Sequence, residues 1–580
     1  MSEMSKIIGI NYDQHITSAV LLIDGVITAA IPEERLSRLK RDRSFPNKSI
    51  EFITEQSGIS FDEVDCFAHS WNPCIHMEKF NPIISNNRRN RLEYLYSIPD
   101  NILRLSDFDG ESDYSKHEIT INNKRIDIYY ISHHLSHAAN VFFSSGFQES
   151  IIVVLDGRGE SSSGIVAIGN KQGIEVLDRF FLPNSLGSFY SAYTELLGFS
   201  PESDEWKVMA LSAMSVRENE YTDRIRSTIT VNKENGSFTM DQKYYNQFMY
   251  EFGGYFTDEL LSLLDIKKGE NIKDDDVISE KYLKIVSAMQ CVFEELLFVL
   301  LNNLKKYDIN NICLSGGSMM NSVSNGKVLE NTFFDNLYIG SCPDDSGTSI
   351  GAAFYVDRII KKNKRESIKI NTSSFGTSYT DSDIYDILKK FGLIKNAIKS
   401  NNIASDVAKL ISEGKIIGWF QGRSEFGQRA LGNRSILADP RREETKLKIN
   451  SAIKYRESFR PFAPSILKEH VEDYFHVPKK DTDVYFMEKV YKFKSEKISL
   501  IPAVVHYDNS GRLQSVDKEN SPLYYDLINN FFKITKVPII VNTSFNLNGE
   551  PNVETPVDAI RTFMTSGLDI LAIGSYILGK

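Results

Sequence analysis

The sequence predicts an α/β protein of two domains, the first built on a duplicated lobe. Three observations carry this. At 580 residues the chain is too long for one core. A strand–loop–hairpin unit occurs twice, about 145 residues apart. A charged, polar stretch beginning at Lys361 separates two regions of different composition.

In the first copy, Lys6 to Ile10 reads as a strand and Tyr12 to Thr17 as a polar loop. Ser18 to Ile23 and Val26 to Ile31 flank Asp24-Gly25, a two-residue hairpin signal. In the second copy, Ile151 to Leu155 is the strand and Asp156-Gly157-Arg158-Gly159 opens the loop. Gly164 to Ile168 and Gly173 to Leu177 then pair across Asn170-Lys171. In a duplicated lobe the loops after the two first strands face each other across a cleft and can grip phosphates. Two unrelated hairpins would give the same local pattern. From 279 to 308 apolar residues recur at helical spacing, which predicts a core helix. It leads into a short strand, Asn311 to Leu314, then Ser315-Gly316-Gly317-Ser318, where backbone amides can approach a phosphate or ribose. Leu337 to Gly340 is another strand, followed by the loop Pro343-Asp344-Asp345-Ser346. Residues 1–361 form the expected first domain, 362–400 a linker with some structure of its own, and 401–580 the second domain.

Composition bounds the function. Hydrophobic content of 41% and a charged fraction of 25% describe an ordinary globular protein. The net charge of −10 argues against nucleic-acid partners, which need a basic footprint. No apolar run reads as a membrane span, and the start carries no signal-peptide pattern. Five scattered cysteines (Cys66, Cys74, Cys291, Cys313 and Cys342), with no Cys-x-x-Cys, suit a reducing cytoplasm and exclude a zinc ribbon. A homodimer is the default assembly.

Two groups of residues carry chemistry. His133 and His137 in His-His-Leu-Ser-His are four apart, which on a helix puts both rings on one face. Asp156 stands at the carboxyl end of the buried strand, so two imidazoles and a carboxylate offer three ligands to a divalent metal. Histidines at this spacing also occur as plain surface or cap residues. The second group lies beyond the strand Ile416 to Phe420. Arg423, Arg429, Arg434, Arg441, Arg442, Lys454, Arg456 and Arg460 are interleaved with small residues. In an acidic protein this concentration suggests a pocket for a polyanion, with about half lining it, since the guanidinium fork matches phosphate and carboxylate oxygens. A buried strand, Val537 to Val541, ends in Asn542-Thr-Ser-Phe-Asn546, able to hydrogen-bond a small ligand or simply to cap a turn.

These strings together resemble the O-carbamoyltransferases of antibiotic and nodulation-factor biosynthesis, and the resemblance runs nearly end to end. It covers Ile31-Pro-Glu-Glu-Arg-Leu-Ser-Arg38 with Lys40, His133 to His137, Ser185 to Tyr190, Asp204 to Met209 and Leu314 to Asn321. It continues through Gly427 to Ser435, Arg456 to Pro464, Asn542 to Asn546 and Gly549-Glu-Pro551. The resemblance implies an actin-like, Kae1-like first domain and a smaller, YrdC-like α/β domain. It implies that carbamoyl phosphate and ATP give carbamoyl-adenylate in the second domain, at Arg429, Arg434, Lys454, Arg460, Arg512, Asn542 and Ser544. The carbamoyl group then passes, in the first domain, to a hydroxyl of a small-molecule natural product. There, His133, His137, Asp156 and Asp345 are implied to hold a metal that looks like iron in this family, with magnesium accompanying ATP. The donor set alone does not choose among Fe, Mn and Zn. Gly316, Gly317 and Asn321 are implied to sit against the nucleotide, and His15 and Lys40 near the reacting group. His15 is a candidate base or a hydrogen-bonding clamp.

Two positions depart from the family pattern. His15 is followed by Ile16-Thr17 rather than a polar residue and a small one, which bears on acceptor contacts. Gly-Pro-Arg-Ala-Leu-Gly is Gly427-Gln-Arg-Ala-Leu-Gly432 here, a change expected to be peripheral and tolerated. A sugar- or acetate-kinase reading shares the duplicated fold but has no need of the histidine pair or the arginines. Hydrogenase maturation brings Cys-x-x-Cys fingers and the reverse domain order. A non-enzymatic ATP-binding module has no use for the metal ligands. The acceptor is not named by the sequence.

Overall fold

The structure, a computed structural model, describes residues 4–580 apart from 13–14, 73–112, 122, 247–253, 271, 275–276, 364–367 and 458. Cys74 and most of the charge run after Lys361 therefore lie outside the described residues. The first lobe is a six-stranded sheet of β1 (Lys6–Asn11), β2 (Ser18–Ile23), β3 (Val26–Pro32), β4 (Cys66–His69), β5 (Tyr114–Ile121) and β6 (Lys124–Ile131), in the order β3-β2-β1-β4-β6-β5. β1 to β3 form an antiparallel meander, and β4 and β6 extend the other side in parallel. The second lobe repeats this plan. β7 (Ser150–Leu155), β8 (Ser162–Asn170) and β9 (Gly173–Phe181) form the meander, and Asn311–Ser315 and Asn336–Tyr338 add in parallel on the far side of β7. In both lobes the first strand has the rest of its meander on one side and two parallel strands on the other, the first lobe adding antiparallel β5 beyond them. This is the duplication that the sequence repeat suggests, in the actin-like form that the family resemblance implies.

The local chemistry accounts for the hairpins. Asp24 and Gly25 both have positive φ (48° and 75°), as a type I′ turn requires. In the second copy the turn is Lys171-Gln172, with Asn170 paired to Gly173, one residue later than expected. The helix Glu280–Asn303 buries Ile285, Met289, Phe293, Leu297 and Leu301 at the centre of the second lobe. By length and composition this helix could cross a membrane, contrary to the expectation that no run would, but it is mostly buried inside the protein.

Helices His133–Ser145 and Thr348–Tyr355 pack on one another between the lobes. Gly351 permits the contact, because a Cβ there would lie 1.6 Å from the Ser136 carbonyl oxygen. This close approach brings the histidine helix beside the turn that carries Asp345.

The C-terminal region is a mixed nine-stranded sheet. Its central strands Ile417–Phe420, Arg434–Ala438, Ile539–Ser544 and Ala463–Leu467 are wholly or largely buried. The expected linker 362–400 differs from what is observed. Helix Asp381–Lys390 inserts Ile384 and Leu388 into the C-terminal core, and Ala397–Lys399 pairs with Tyr576–Gly579 at the sheet edge. Polar composition resembled a spacer because only one face of the helix is apolar. At the junction, Phe426 from the C-terminal region is buried in the cluster formed between the two N-terminal lobes.

Candidate active site: a metal cluster and a cationic cavity

His133 and His137 lie in the first two turns of their helix, and Asp156 follows β7 directly. Asp345 begins a short 3-10 turn after the second lobe's last strand. Together they form a buried group whose candidate ligand atoms all lie within 4.8 Å of one another. His133 Nε2 is 3.0 Å from Asp156 Oδ2 and 3.6 Å from Asp345 Oδ1, while His137 Nε2 is 3.5 Å from each.

The surroundings orient Asp156 and His137. Asp156 Oδ1 accepts from the amides of Gly157 (2.8 Å) and Gly317 (3.0 Å), which leaves Oδ2 facing the histidines. The Ser315 hydroxyl lies 3.3 Å from His137 Nδ1, which turns Nε2 inward, and that buried Nε2 has no hydrogen-bond partner. Burial opposes charge on His137, but Asp156 and Asp345 raise its pKa to about 9. Burial also opposes ionisation of Asp156, yet the two imidazoles hold it well below the carboxylate range. Two imidazoles and two carboxylates converging on one point, with an orphaned Nε2, fit a divalent first-row metal.

The cluster opens into a cavity of about 230 Å³ lined also by His15, Arg158, Glu202, Trp206 and Tyr255. His15 Nε2 is 3.6 Å from Glu202 Oε2, and Tyr255 donates its hydroxyl to the same carboxylate. Burial alone would raise the Glu202 pKa, but His15 and the Tyr255 hydroxyl lower it. Glu202 holds a positive φ of 59°, and Arg41 grips the backbone there through the Ser203 carbonyl (2.8 Å). Strained backbone at a cavity wall is a common mark of a functional site.

A second cavity, of about 410 Å³, lies against the first. Nine lysines and arginines line it against three carboxylates, Glu34, Asp508 and Glu550. Arg429, Arg456, Arg512 and Lys454 line it and make no carboxylate ion pair among the described residues, whereas Arg460 pairs with Glu457 and stacks 4.4 Å from the Trp206 ring. Burial lowers the pKa of Lys454 well below the usual value, and Arg456, Lys40 and Arg460 lower it further. Burial acts likewise on Arg512, reinforced by Arg429 and Arg456. Lys454 Nζ donates to Ser544 Oγ (3.2 Å) and Asn546 Oδ1 (2.7 Å), at the end of the strand Ile539–Ser544. The two cavities share Ile16, Arg41, Ser203, Trp206, Met209, Gln428 and Arg429.

Several expected site residues take other positions. Arg434 is fully buried outside both cavities. Its guanidinium donates to the carbonyls of Gln421 (2.7 Å) and Thr377 (3.0 Å) and stacks 3.7 Å over Phe420, so it supports the fold rather than a ligand. Gly316 lines neither cavity; its φ of 94°, with Leu155 O only 2.2 Å from a built Cβ, makes it a backbone requirement. Gly317 and Asn321 do reach the metal-side cavity. The Asn321 side chain, however, caps the helix Ser322–Asn325 and bonds Gln290 at 2.9 Å. Asn542 and Ser544 line the cationic cavity. His15 and Lys40, expected near one reacting group, line different cavities.

Other residues at the site were not singled out from sequence. Arg35 and Arg38, from the short helix Glu33–Ser37 and its cap, cross to the C-terminal region. Arg35 donates to Gly427 O (3.1 Å) and faces buried Glu554 at 3.6 Å; Arg38 donates to Asn552 O (2.7 Å) and Pro551 O (3.0 Å). The resemblance flagged their motif, but nothing local shows a contact with a loop so distant in the chain. His506, Glu202 and Tyr255 likewise carry no local signal.

Comparison with known proteins identifies the family. Residues 6–354 match the family Carbamoyltransferase N-terminus, and residues 408–580 match Carbamoyltransferase C-terminus. The chain is similar to the nodulation protein NolNO of Sinorhizobium fredii, 32% identical over 98% of this chain and 80% of that one. It is also similar to the nodulation protein NolO of Bradyrhizobium diazoefficiens, 34% identical over 78% of this chain and 79% of that one. Among solved structures, full-length HypF in its phosphate- and nucleotide-bound form shows a distant likeness. Its TM-score is 0.31 at 15% identity, covering 62% of this chain and 47% of that one. The chain thus belongs to the carbamoyltransferase family and is a transferase of carbamoyl groups.

Proposed function

We propose that the protein is an ATP-dependent O-carbamoyltransferase with two sites. The observation that carries this is the charge imbalance of the larger cavity beside a metal-ligand cluster. Nine cationic side chains line one cavity with three acids, and Lys454 is buried among them, an arrangement whose mutual repulsion a bound polyanion would relieve. ATP with carbamoyl phosphate is such a load. Water converts carbamoyl phosphate to carbamate and phosphate, a carbamate oxygen attacks the α-phosphorus of ATP, and pyrophosphate leaves with carbamoyl-adenylate remaining. Arg429, Arg456, Arg460, Arg512 and Lys454 take up the charge that develops as pyrophosphate departs. Ser544 and Asn542 supply hydrogen bonds at the strand end, and Lys40 stands at the exposed rim.

Transfer takes place in the smaller cavity. An acceptor hydroxyl attacks the carbamoyl carbon and AMP leaves. His15, paired with Glu202, is placed to receive the hydroxyl proton. His133, His137, Asp156 and Asp345 would hold a divalent metal, iron in the family reading, whose chemistry there is Lewis-acid binding of phosphate or carbonyl oxygen. The residues lining both cavities give the activated carbamoyl group a short route between them. The acceptor is a small-molecule natural product alcohol, and the reaction needs neither nucleic acid nor membrane. Residues 1–361 and 401–580 carry the two activities in this reading, in a cytoplasmic protein able to act as a homodimer.

The test is incubation with ATP and carbamoyl phosphate, with pyrophosphate and adenylate followed by mass spectrometry. Pyrophosphate release dependent on carbamoyl phosphate is expected. Cleavage of ATP only to ADP would instead favour the kinase reading.

A further inference from the structure

Gln428 stands where the family pattern has proline, and the sequence reading expected the change to be peripheral. The structure places it between the two sites. Its Nε2 donates to Asp344 Oδ2 at 2.6 Å, and Asp344 directly precedes Asp345 of the metal cluster. Gln428 lines both cavities, as does its neighbour Arg429. The segment around it is seated on the N-terminal lobes at each residue. Phe426 is buried in their core, its carbonyl accepts from Cys342 Sγ at 3.2 Å, and Gly427 O accepts from Arg35. Gly427, with a φ of 113°, lies so close to Cys342 that a Cβ would come within 2.5 Å of the sulfur. Arg429 makes no carboxylate ion pair within 4 Å among the described residues, but the charge of Asp344 acts on it, so the bond from Gln428 to Asp344 bears on its aim.

We propose that Gln428 is a positioning residue which, through its bond to Asp344, sets Arg429 in the neck shared by the two cavities. The inference rests on the two-site reading above. A proline cannot donate this hydrogen bond, so the chain uses a side-chain tie across the domain junction at that point. Asp344 is engaged from both sides, by Gln428 and by the Ser346 hydroxyl at 2.6 Å.

The experiment compares steady-state pyrophosphate release from ATP and carbamoyl phosphate in wild type, Gln428→Met and the exchanged pair Gln428→Glu with Asp344→Asn. Methionine keeps the length and removes the donor, while the exchanged pair rebuilds the bond with donor and acceptor reversed. Loss of a hydrogen bond to a charged acceptor predicts a rise in the ATP KM of about five- to tenfold in Gln428→Met, with kcat changed less than about twofold. The exchanged pair should return KM to within about twofold of wild type. A general loosening of the fold would lower kcat with the amount of active protein and would not be reversed by the exchange. An unchanged KM in Gln428→Met, or no recovery in the exchanged pair, overturns the role of Gln428 alone. Absence of pyrophosphate from the wild type overturns the two-site reading and this role with it.

Discussion

The two cavities share a wall and differ in how their charge is balanced. In the metal-side cavity opposite signs face one another: His133 and His137 sit 3.0 to 3.6 Å from Asp156 and Asp345, and His15 sits beside Glu202. In the larger cavity cations face cations, and each lowers the pKa of the next. In the balanced cluster the second oxygen of Asp156 and the second nitrogen of His137 are already tied, by backbone amides and a serine hydroxyl. An unbalanced one is completed by its ligand. The same fold thus holds a charge-balanced cluster and a charge-unbalanced cavity side by side, and the two should respond differently to substitution, to anions and to acid.

The largest expected effect is on the unbalanced side. Arg512→Met should lower pyrophosphate release by roughly a hundredfold or more, as loss of a buried charge-stabilising donor does elsewhere. Its metal content, measured by inductively coupled plasma mass spectrometry, should stay unchanged. Next, Asp345→Asn should lower bound metal at least about tenfold under limiting metal, with pyrophosphate release kept within about twofold. Loss of pyrophosphate release in this variant would join the two sites into one. Third, pyrophosphate should raise the thermal midpoint, because it relieves repulsion present only in the folded protein. At about a hundred times its Kd the gain is about 2.7 kcal/mol, and Arg512→Met should lose most of it while Asp345→Asn keeps it.

The smallest effect concerns pH. Burial lowers the His506 pKa from its ordinary value to about 4, with Arg512 and Lys446 adding to the shift and Asp508 opposing it. The unfolded chain therefore binds the extra proton first. The stability from a neutral His506 is complete above about pH 6.5, and is lost as pH falls towards 4. His506→Gln should flatten that acid limb in urea titrations at pH 4.5 and 7. An unchanged slope would remove His506 from the charge balance of the cavity.

Much of the first domain was legible because its signals are local. Alternating apolar runs, a positive-φ turn pair at Asp24-Gly25 and two histidines at helical spacing each reflect constraints a few residues long. Asp156 was legible by its place after a buried strand. What escaped the sequence depends on contacts between distant segments. Arg434 looks like its cationic neighbours until its donors are seen to be taken by Gln421, Gly422 and Thr377 carbonyls. Residues 381–399 looked like a spacer, although one edge strand and one amphipathic helix suffice to join them to the C-terminal sheet. Arg35, Arg38 and Gln428 act across the domain junction, where neither periodicity nor spacing carries a signal.

The most direct test measures carbamoyl-phosphate-dependent pyrophosphate release in Arg460→Ala and His137→Ala in parallel. Arg460 lines the cationic cavity and His137 belongs to the candidate metal-ligand group. The two-site account predicts that Arg460→Ala abolishes release, while His137→Ala retains it and fails only in passing the carbamoyl group on. Loss of pyrophosphate release in both variants would contradict it.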